Sequence, residues 1–246
     1  MANKLRHIEV LPDLETLCQR ALDITLECLT AAINERDQFT IALAGGSTPT
    51  GLYEKLSKES LPWDKFQVFW GDERYVPLAH PDSNAGKAKQ VWLDLVPIPS
   101  QNIHITPTHL KEPVAAAAAY EETLQRVFQT HGGEIPQFDL ILLGMGPDGH
   151  TASLFPHTPA LQVSDRLVTV GKKDDQPRIT FTVPLINHAK TVLFLVSGSN
   201  KQQALSHVFN RTGDPQTYPT RLIEPEQSLI WLLDQEAGLG VTPPES

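Results

Sequence analysis

The chain has 246 residues, 40% of them hydrophobic, and carries a formal net charge of −9 at pH 7. Such a composition is typical of a globular protein with one sizeable core, and the negative charge argues against nonspecific nucleic-acid binding, which needs a basic surface. No apolar run approaches the ~20 residues that cross a bilayer, so we expect no association with membranes.

The N-terminal residues and the two cysteines both indicate a cytoplasmic protein. The N-terminus lacks the apolar segment of a secretion signal. Cys18 and Cys28 fall in one predicted helix, where a rise of ~1.5 Å per residue places them about 15 Å apart, too far for a disulfide. Two free thiols fit the reducing conditions of the cytoplasm.

Apolar periodicity and the placement of Gly and Pro predict strands and helices that alternate along most of the chain. In chain order, the predictions are a helix at 13–36 capped by Asp13, a strand at 40–44, a helix with Pro49 in its first turn, a strand at 66–70, a helix at 83–93, a Pro-rich connection at 96–113, a helix at 114–131, strands at 139–143, 167–170, 179–183 and 191–196, a helix at 200–209 and a strand at 228–233. This alternation is typical of a three-layer, doubly wound α/β fold, with a mostly parallel sheet covered by helices on both faces. We expect a single domain of residues 1–240 and a loose Pro-rich tail at 241–246.

The glycine-rich turn after the strand at 40–44 is a candidate anion site. Gly45 and Gly46 leave backbone N–H groups free, the start of the next helix adds partial positive charge, and Ser47 and Thr48 add hydroxyl donors. An ordinary tight turn with a Ser/Thr cap explains the same residues equally well. The turn is not a Walker loop, because it contains no Gly-Lys-Ser/Thr.

A second glycine run, at 144–149, follows the strand at 139–143 and has the spacing of the dinucleotide fingerprint GxGxxG. We reject a dinucleotide site because Asp148 would set a negative charge against the pyrophosphate and because the run lies late in the chain. Gly144 and Gly146 instead allow the backbone to approach a substrate closely.

Asp148 and His150 place an acid and an imidazole at the carboxyl end of a strand, where open parallel sheets bind ligands. A histidine is suited to accept a proton near neutral pH, and a neighbouring carboxylate can orient its ring. A capping Asp beside a packed His is the alternative, but the strand-end position favours a catalytic pair. We also expect Thr151 to cap a new helix.

Charged residues at three further positions are candidates for the binding site. Asp72, Glu73 and Arg74 follow the strand at 66–70, and Arg74 is suited to hold an oxyanion or a phosphate; a solvated loop with a local ion pair is the alternative. Arg178 precedes a predicted strand. Lys201 begins a helix, where a lysine opposes the helix dipole unless an anion binds nearby.

The remaining polar residues predict no further chemistry. Lys172 and Lys173 are interpreted as solvated. No His or Cys cluster has the spacing of metal ligands, and no Gly-x-Ser-x-Gly elbow is present, which argues against a metal site and a serine hydrolase.

Taken together, these segments resemble the glucosamine-6-phosphate isomerase/6-phosphogluconolactonase family. The most specific match lies at 143–156, and further matches lie at 43–49, 70–77, 82–84, 178–180 and 197–201. The resemblance keeps its order over nearly the whole chain, from about residue 43 to 234.

Two departures separate this chain from the deaminase branch of the family. The deaminase pattern has an acid five residues after the motif histidine, where this chain has Phe155, and a tyrosine where this chain has Arg74. An aldose–ketose isomerisation needs that carboxylate to move a carbon-bound proton. A noncatalytic sugar-phosphate sensor is a third reading, but no basic DNA-binding segment is expected before residue 13.

The resemblance implies a cytoplasmic hydrolase of the oxidative pentose phosphate pathway that converts 6-phospho-D-glucono-1,5-lactone to 6-phospho-D-gluconate. It implies a small sugar-phosphate ligand, no cofactor, no metal, and a monomer or weak dimer. His150 would be the general base, Asp148 would orient it, and Arg74 or backbone N–H groups would stabilise the oxyanion.

The same resemblance implies which residues bind the substrate. They are Gly45, Gly46, Ser47, Thr48, Asp72, Gly144, Gly146, Arg178 and Lys201. Within this set the turn at 45–48, Arg178 and Lys201 would hold the phosphate, and Asp72 would position Arg74 or line the sugar site. His150 and the turn at 45–48 are therefore expected to lie within the span of one hexose phosphate.

Overall fold

Nine strands and six α-helices form within residues 5–241, the part of the chain that the computed structural model describes. The strands are β1 (Leu5–Leu11), β2 (Phe39–Leu43), β3 (Phe66–Trp70), β4 (Asp72–Arg74), β5 (Leu140–Leu143), β6 (Val168–Lys173), β7 (Gln176–Phe181), β8 (Thr191–Val196) and β9 (Ser228–Asp234). The helices are α1 (Leu14–Arg36), α2 (Ser47–Leu56), α3 (Asn84–Ala88), α4 (Pro113–Phe128), α5 (Val183–Asn187) and α6 (Gln202–Phe209). Across these residues no helix combines the length and apolarity that a bilayer span requires.

A six-stranded parallel sheet forms the centre of the protein, in the order β1-β9-β8-β5-β2-β3. Leu43 pairs with Trp70, and Leu143 pairs with Phe194, so neighbouring strands end near one another. Because the strands are parallel, their carboxyl ends all lie at the same edge of the sheet. The predicted α/β fold with a mostly parallel sheet is confirmed.

Two hydrophobic cores cover the two faces of this sheet. On β5, Leu140 and Leu142 join the core beneath α1 and α2, whereas Ile141 and Leu143 join the core beneath α4 and α6. A strand that is apolar on both sides is typical of the centre of a parallel sheet. The predicted three layers are therefore present.

A second sheet, which the sequence did not predict, stands at the carboxyl edge of the first. It has three antiparallel strands in the order β4-β7-β6. Gly71 joins the two sheets: its N–H donates to the carbonyl of Leu43 at 3.0 Å, and its carbonyl accepts from the N–H of Phe181 at 2.8 Å. The small sheet therefore forms a wall beside the strand ends of the large one.

Most predicted elements are confirmed to within a few residues. Asp13 caps α1, accepting a hydrogen bond from the Thr16 N–H at 2.8 Å. The strand at 66–70 agrees residue for residue. The helix predicted at 83–93 is α3, capped by Ser83, which continues as a π-helical segment at Lys89–Leu93.

Thr151 does not begin a helix, so that prediction is wrong. Its hydroxyl instead donates to the carbonyl of Gly144 at 2.8 Å, and Ala152 has a φ of 47°. A left-handed residue directly after Thr151 is incompatible with a helix there, and the chain turns tightly through an isolated bridge between Thr151 and Leu154.

One other predicted end shifts, and two strands, β1 and β4, were not predicted. The strand predicted at 179–183 ends at Phe181, and α5 begins at Val183 because Pro184 suits the first helical turn. Strand β1 pairs only with β9, at the edge of the sheet. Of the tail predicted at 241–246, only Val241 belongs to the described residues, and it packs against the core beneath α4.

A buried carboxylate fastens the opposite, amino-terminal end of the strands. Asp139 is 3% exposed and accepts from the N–H and the hydroxyl of Thr40, each at 2.8 Å. Arg36 at the end of α1 donates to the same carboxylate. The start of β5 is thus bonded to β2 and α1, far from the edge where the glycine turns lie.

Candidate active site

The carboxyl edge of the large sheet opens into a cleft of about 460 Å³, a volume suited to a small molecule. The turns after β2, β3, β5 and β8 line it, and so does the end of β6. The predicted site residues that line the cleft are Gly45, Gly46, Ser47, Thr48, Asp72, Arg74, Gly144, Gly146, His150 and Lys201. Asp148 and Arg178 do not line the cleft themselves, but Asp148 is hydrogen-bonded to His150 and Arg178 is paired with Arg74 in the small sheet.

The glycine turn presents an uncapped helix start to the cleft. Gly46 is the N-cap of α2 with a φ of 105°, which favours glycine, and no side chain caps the helix there. The hydroxyls of Thr48 and Ser197 lie 2.7 Å apart and tie this turn to the one after β8. The first N–H groups of α2 and two hydroxyls therefore offer donors for an anion.

Gly45 lies against Asn84, a residue for which we predicted no role in the site. A Cβ on Gly45 would lie 2.0 Å from Oδ1 of Asn84, so only glycine fits. The Asn84 side chain is buried and its Nδ2 donates to the carbonyl of Asp72 at 2.9 Å. Asn84 therefore joins the glycine turn to the small sheet across one end of the cleft.

His150 and Asp148 form a hydrogen-bonded pair. Nδ1 of His150 lies 2.5 Å from Oδ1 of Asp148, and the His150 side chain is 20% exposed. Burial alone would raise the pKa of the Asp148 carboxyl, but the hydrogen bond from His150 and the positive charge of His150 outweigh burial. The net effect lowers the pKa from 3.8 to about 2, so the carboxylate is ionised at neutral pH. An ionised Asp148 accepts the proton of Nδ1, which leaves the lone pair on Nε2.

Gly146 allows this pair to form. A Cβ there would lie 2.1 Å from Nδ1 of His150 and 2.5 Å from Oδ1 of Asp148. The Gly146 N–H donates to the carbonyl of His150 at 2.8 Å, which closes the loop on itself. Gly146, which we predicted to let the backbone approach the substrate closely, thus also makes room for the Asp148–His150 pair.

A distant threonine braces the same loop. The carbonyl of Gly149 accepts from both the N–H and the hydroxyl of Thr220, at 3.0 and 2.7 Å. Gly149 has a φ of 77° and packs against Tyr218. The sequence carried no signal for this contact, because 71 residues separate its partners.

Arg74 and Arg178 pair across the small sheet. They stand opposite each other in the register of β4 and β7. Burial lowers the pKa of the Arg178 guanidinium, and the charge of Arg74 adds to this effect. The charges of Asp72, Asp82 and Glu73 oppose this lowering, but two like charges paired in register across a sheet still favour an anion near them.

Glu73, which follows the strand at 66–70, is buried and does not line the cleft. It is 2% exposed, and its carboxylate accepts from the N–H groups of Arg74, Asn84 and Ala85 at 2.7 to 2.8 Å. The hydroxyl of Ser83 donates to it as well. Glu73 therefore holds the start of α3 against β4, and its neighbours Asp72 and Arg74 line the cleft.

Asp72 lines the cleft and is held by Ser153. The hydroxyl of Ser153 donates to Oδ2 of Asp72 at 2.6 Å, and Ser153 is buried. This bond links β4 to the segment that carries His150. Within residues 5–241, no group of three or more His, Cys, Asp and Glu side chains is placed to hold a metal ion.

Two lysines belong to the cleft, one of them unexpectedly. Lys201, the residue before α6, lines it as predicted. Lys173 at the end of β6 also lines it, which the sequence did not predict, although its side chain is exposed, in agreement with its interpretation as a solvated residue. Lys172 points elsewhere and pairs with Asp175 at 2.6 Å. Only the register of the hairpin distinguishes the two lysines, and the sequence does not reveal that register.

Comparison with known proteins supports this picture. The model of the family described as glucosamine-6-phosphate isomerases/6-phosphogluconolactonase matches residues 12–231. A protein of Synechocystis sp. named 6-phosphogluconolactonase is 56% identical over 236 residues, covering 96% of this chain and 98% of that relative. One of Nostoc sp. with the same name is 56% identical over 231 residues, covering 94% and 96%.

Solved structures agree with the sequence relatives. The structure titled 6-phosphogluconolactonase from Trypanosoma cruzi superposes with a TM-score of 0.87 at 30% identity and covers 98% of each chain. The family match extends over most of the residues that form the sheet and the cleft. The chain therefore belongs to the glucosamine-6-phosphate isomerase/6-phosphogluconolactonase family.

Proposed function

We propose that this chain hydrolyses 6-phospho-D-glucono-1,5-lactone to 6-phospho-D-gluconate, a step of the oxidative pentose phosphate pathway, with His150 as the general base. The observation that carries the proposal is the Asp148–His150 pair at the cleft that the glycine turn of α2 also lines. Relatives that match almost the full length of the chain carry the name of this activity. The two free thiols fit the reducing cytoplasm as its location.

The proposed reaction begins with the free nitrogen of His150. Nε2 accepts a proton from a water molecule while the water oxygen bonds to C1 of the lactone. The carbonyl electron pair moves to the oxygen, where Arg74 or backbone N–H groups of the turn after β5 stabilise the charge. The C1–O5 bond then breaks as the carbonyl re-forms, and His150 returns its proton to O5.

Asp148 keeps His150 in the tautomer that these reaction steps need, with the proton on Nδ1. Its ionised carboxylate accepts the proton on Nδ1 and stabilises the imidazolium that forms when Nε2 is protonated. General base catalysis of this kind contributes about 10²- to 10⁴-fold to the rate.

The phosphate would bind in the part of the cleft that the turn at the start of α2 lines. The uncapped start of α2, the Thr48 hydroxyl and Lys201 surround that region. Arg178 would act from behind Arg74, the guanidinium that lines the cleft. In this arrangement the anion fixes the sugar so that its carbonyl faces His150.

A deaminase reaction is less compatible with the cleft. The ring of Phe155 lies 4.6 Å from that of His150, where the deaminase pattern has an acid. A phenyl ring cannot move the carbon-bound proton that the isomerisation requires.

The assay that tests the proposal generates 6-phosphogluconolactone in place from glucose 6-phosphate with a dehydrogenase and follows acid release. The wild-type chain is expected to accelerate release, and His150→Ala to lose about 10²- to 10⁴-fold in kcat. Glucosamine 6-phosphate is offered in parallel and ammonia is measured. Ammonia without faster acid release would overturn the assignment, and an unchanged kcat in His150→Ala would remove His150 from the role of base.

A further inference from the structure

Lys172 and Lys173 lie on opposite faces of strand β6. Two residues before Lys173, Gly171 packs so closely against the segment of His150 that a Cβ there would lie 2.3 Å from the carbonyl oxygen of Ser153. Side chains two apart on a strand share a face. Lys173 therefore faces the catalytic segment, whereas Lys172 faces away and pairs with Asp175.

The end of β6 is held in place by its turn. Asp174 and Asp175 adopt φ values of 48° and 62°, the left-handed pair of a two-residue hairpin, and Lys173 pairs with Gln176 across it. Because Asp175 bonds to Lys172, it does not neutralise Lys173. Among the residues at 5–241, no carboxylate lies within ion-pair distance of Lys173.

The ammonium of Lys173 stands over an aromatic ring of the site. Nζ lies 5.6 Å from the centroid of the Phe155 ring, whose other neighbour is His150. A cation over an aromatic face is attracted to it even without a counter-ion. The ring thus orients Lys173 at the cleft that it lines.

Lys201 approaches the same region from α6. Burial lowers the pKa of the Lys201 ammonium, the charge of Asp148 opposes this effect, and the charge of Lys173 adds to it. Lys201, like Lys173, has no ion-pair partner among the described side chains. Two ammonium groups that repel each other in one cleft are stabilised when an anion of charge −2 binds beside both.

We propose that Lys173 is a phosphate-binding residue, a second ammonium that contacts the phosphate monoester of the substrate together with Lys201. The inference rests on the proposed function, since it assigns a ligand group of the same substrate. It gives the small sheet a part in recognition: β6 brings one cation and β4 and β7 bring the two arginines.

The test compares Lys173→Met with Lys172→Met, two neighbouring lysines of the same charge on opposite faces. Lys173→Met is expected to raise KM for the phosphorylated lactone about tenfold, the loss typical of one charge-assisted hydrogen bond, with kcat within about twofold. It is also expected to weaken inhibition by inorganic phosphate by a similar factor. Lys172→Met is expected to match the wild type in both.

Calorimetry with 6-phosphogluconate and with gluconate identifies the group that Lys173 contacts. Lys173→Met is expected to reduce the preference of the protein for the phosphorylated acid about tenfold. A KM and a phosphate inhibition equal to those of Lys172→Met would overturn the proposal. An equal loss with gluconate and 6-phosphogluconate would overturn it too, since Lys173 would then contact the carboxylate end.

These results are separable from the proposed function. If the wild-type chain failed to accelerate lactone hydrolysis, the proposed function would fall, but the binding of inorganic phosphate to the two variants would still decide the role of Lys173.

Discussion

Gly146 lies so close to His150 that a methyl group added to its Cα would stand 2.1 Å from Nδ1 of the imidazole. The Asp148 carboxylate is almost as close, at 2.5 Å. Real Cβ atoms do not approach other atoms at such distances, so Gly146→Ala must displace the pair. We expect kcat to fall by about 10²-fold or more, because a small misplacement of a catalytic group has a large effect on rate.

The loss in Gly146→Ala is expected to act through His150. The double variant Gly146→Ala/His150→Ala should therefore be no slower than His150→Ala alone. Steady-state kinetics on the generated lactone measures both, and circular dichroism checks the fold. If the kcat of the double variant fell by the product of the two single losses, Gly146 would act independently of the pair.

Asp148→Asn tests the tautomer argument. An amide that turns its NH₂ toward Nδ1 stabilises the wrong tautomer and leaves the proton on Nε2, so kcat should fall by about 10²- to 10⁴-fold. KM for the lactone should change far less, because Asp148 is not among the residues that line the cleft. A KM effect larger than the kcat effect would contradict this role.

Asp148→Asn should also change the acid stability of the protein. The folded-state pKa of Asp148 is about 2, below the ordinary value of 3.8, so the unfolded state binds more protons between these values. The stability that Asp148 contributes is therefore present above pH 4 and is lost as the pH falls toward 2. Urea titrations should show the wild type losing its advantage over the variant in that window; a constant difference across it would contradict the lowered pKa.

Gly45→Ala should separate the turn of α2 from the small sheet. The new methyl group would collide with Oδ1 of Asn84, which we expect to destabilise the protein by about 1–3 kcal/mol and to raise KM. Adding Asn84→Ala removes the collision. The double variant should then be about as stable in urea as Asn84→Ala alone, and fully additive losses would show that the two residues do not meet.

Asp139→Asn should weaken the fold without changing the chemistry. It removes the charge from a buried carboxylate that binds Thr40 and Arg36, at an expected loss of about 3 kcal/mol. Because this cluster lies at the amino ends of the strands, KM and kcat measured well below the melting temperature should stay within about twofold of the wild type. A large change in kcat would show that the two ends of the sheet are coupled.

The large sheet could be predicted because its signals are local. The strand at 66–70 is apolar except for Gln67 and ends at Gly71, and Asp13 and Ser83 are ordinary helix caps, so apolar periodicity and the positions of turn and cap residues are sufficient. The same holds for the placement of His150 and the turn at 45–48 at one cleft, since parallel strands bring their carboxyl ends together.

The small sheet could not be predicted because its signals are not local. Strand β4 consists of three charged residues, a composition that resembles a solvated loop. Glu73 is nevertheless buried, because donors that include two N–H groups of α3 satisfy its carboxylate. Lys172 and Lys173 are the same residue type and differ only in the face of strand β6 on which they lie. Ala152 in a left-handed conformation is unfavourable locally and is imposed by the surrounding contacts, so Thr151 could not be recognised as part of a turn.

Gly71 joins two sheets that contribute different groups to the cleft. The small sheet carries Lys173, Arg74 and Arg178, whereas the turns at the edge of the large sheet carry His150 and the start of α2. Exchange of the side chains at 172–176, with Gly171 retained because it packs against Ser153, is therefore expected to alter substrate choice with little disturbance of His150, which makes that turn the place to begin a redesign of specificity.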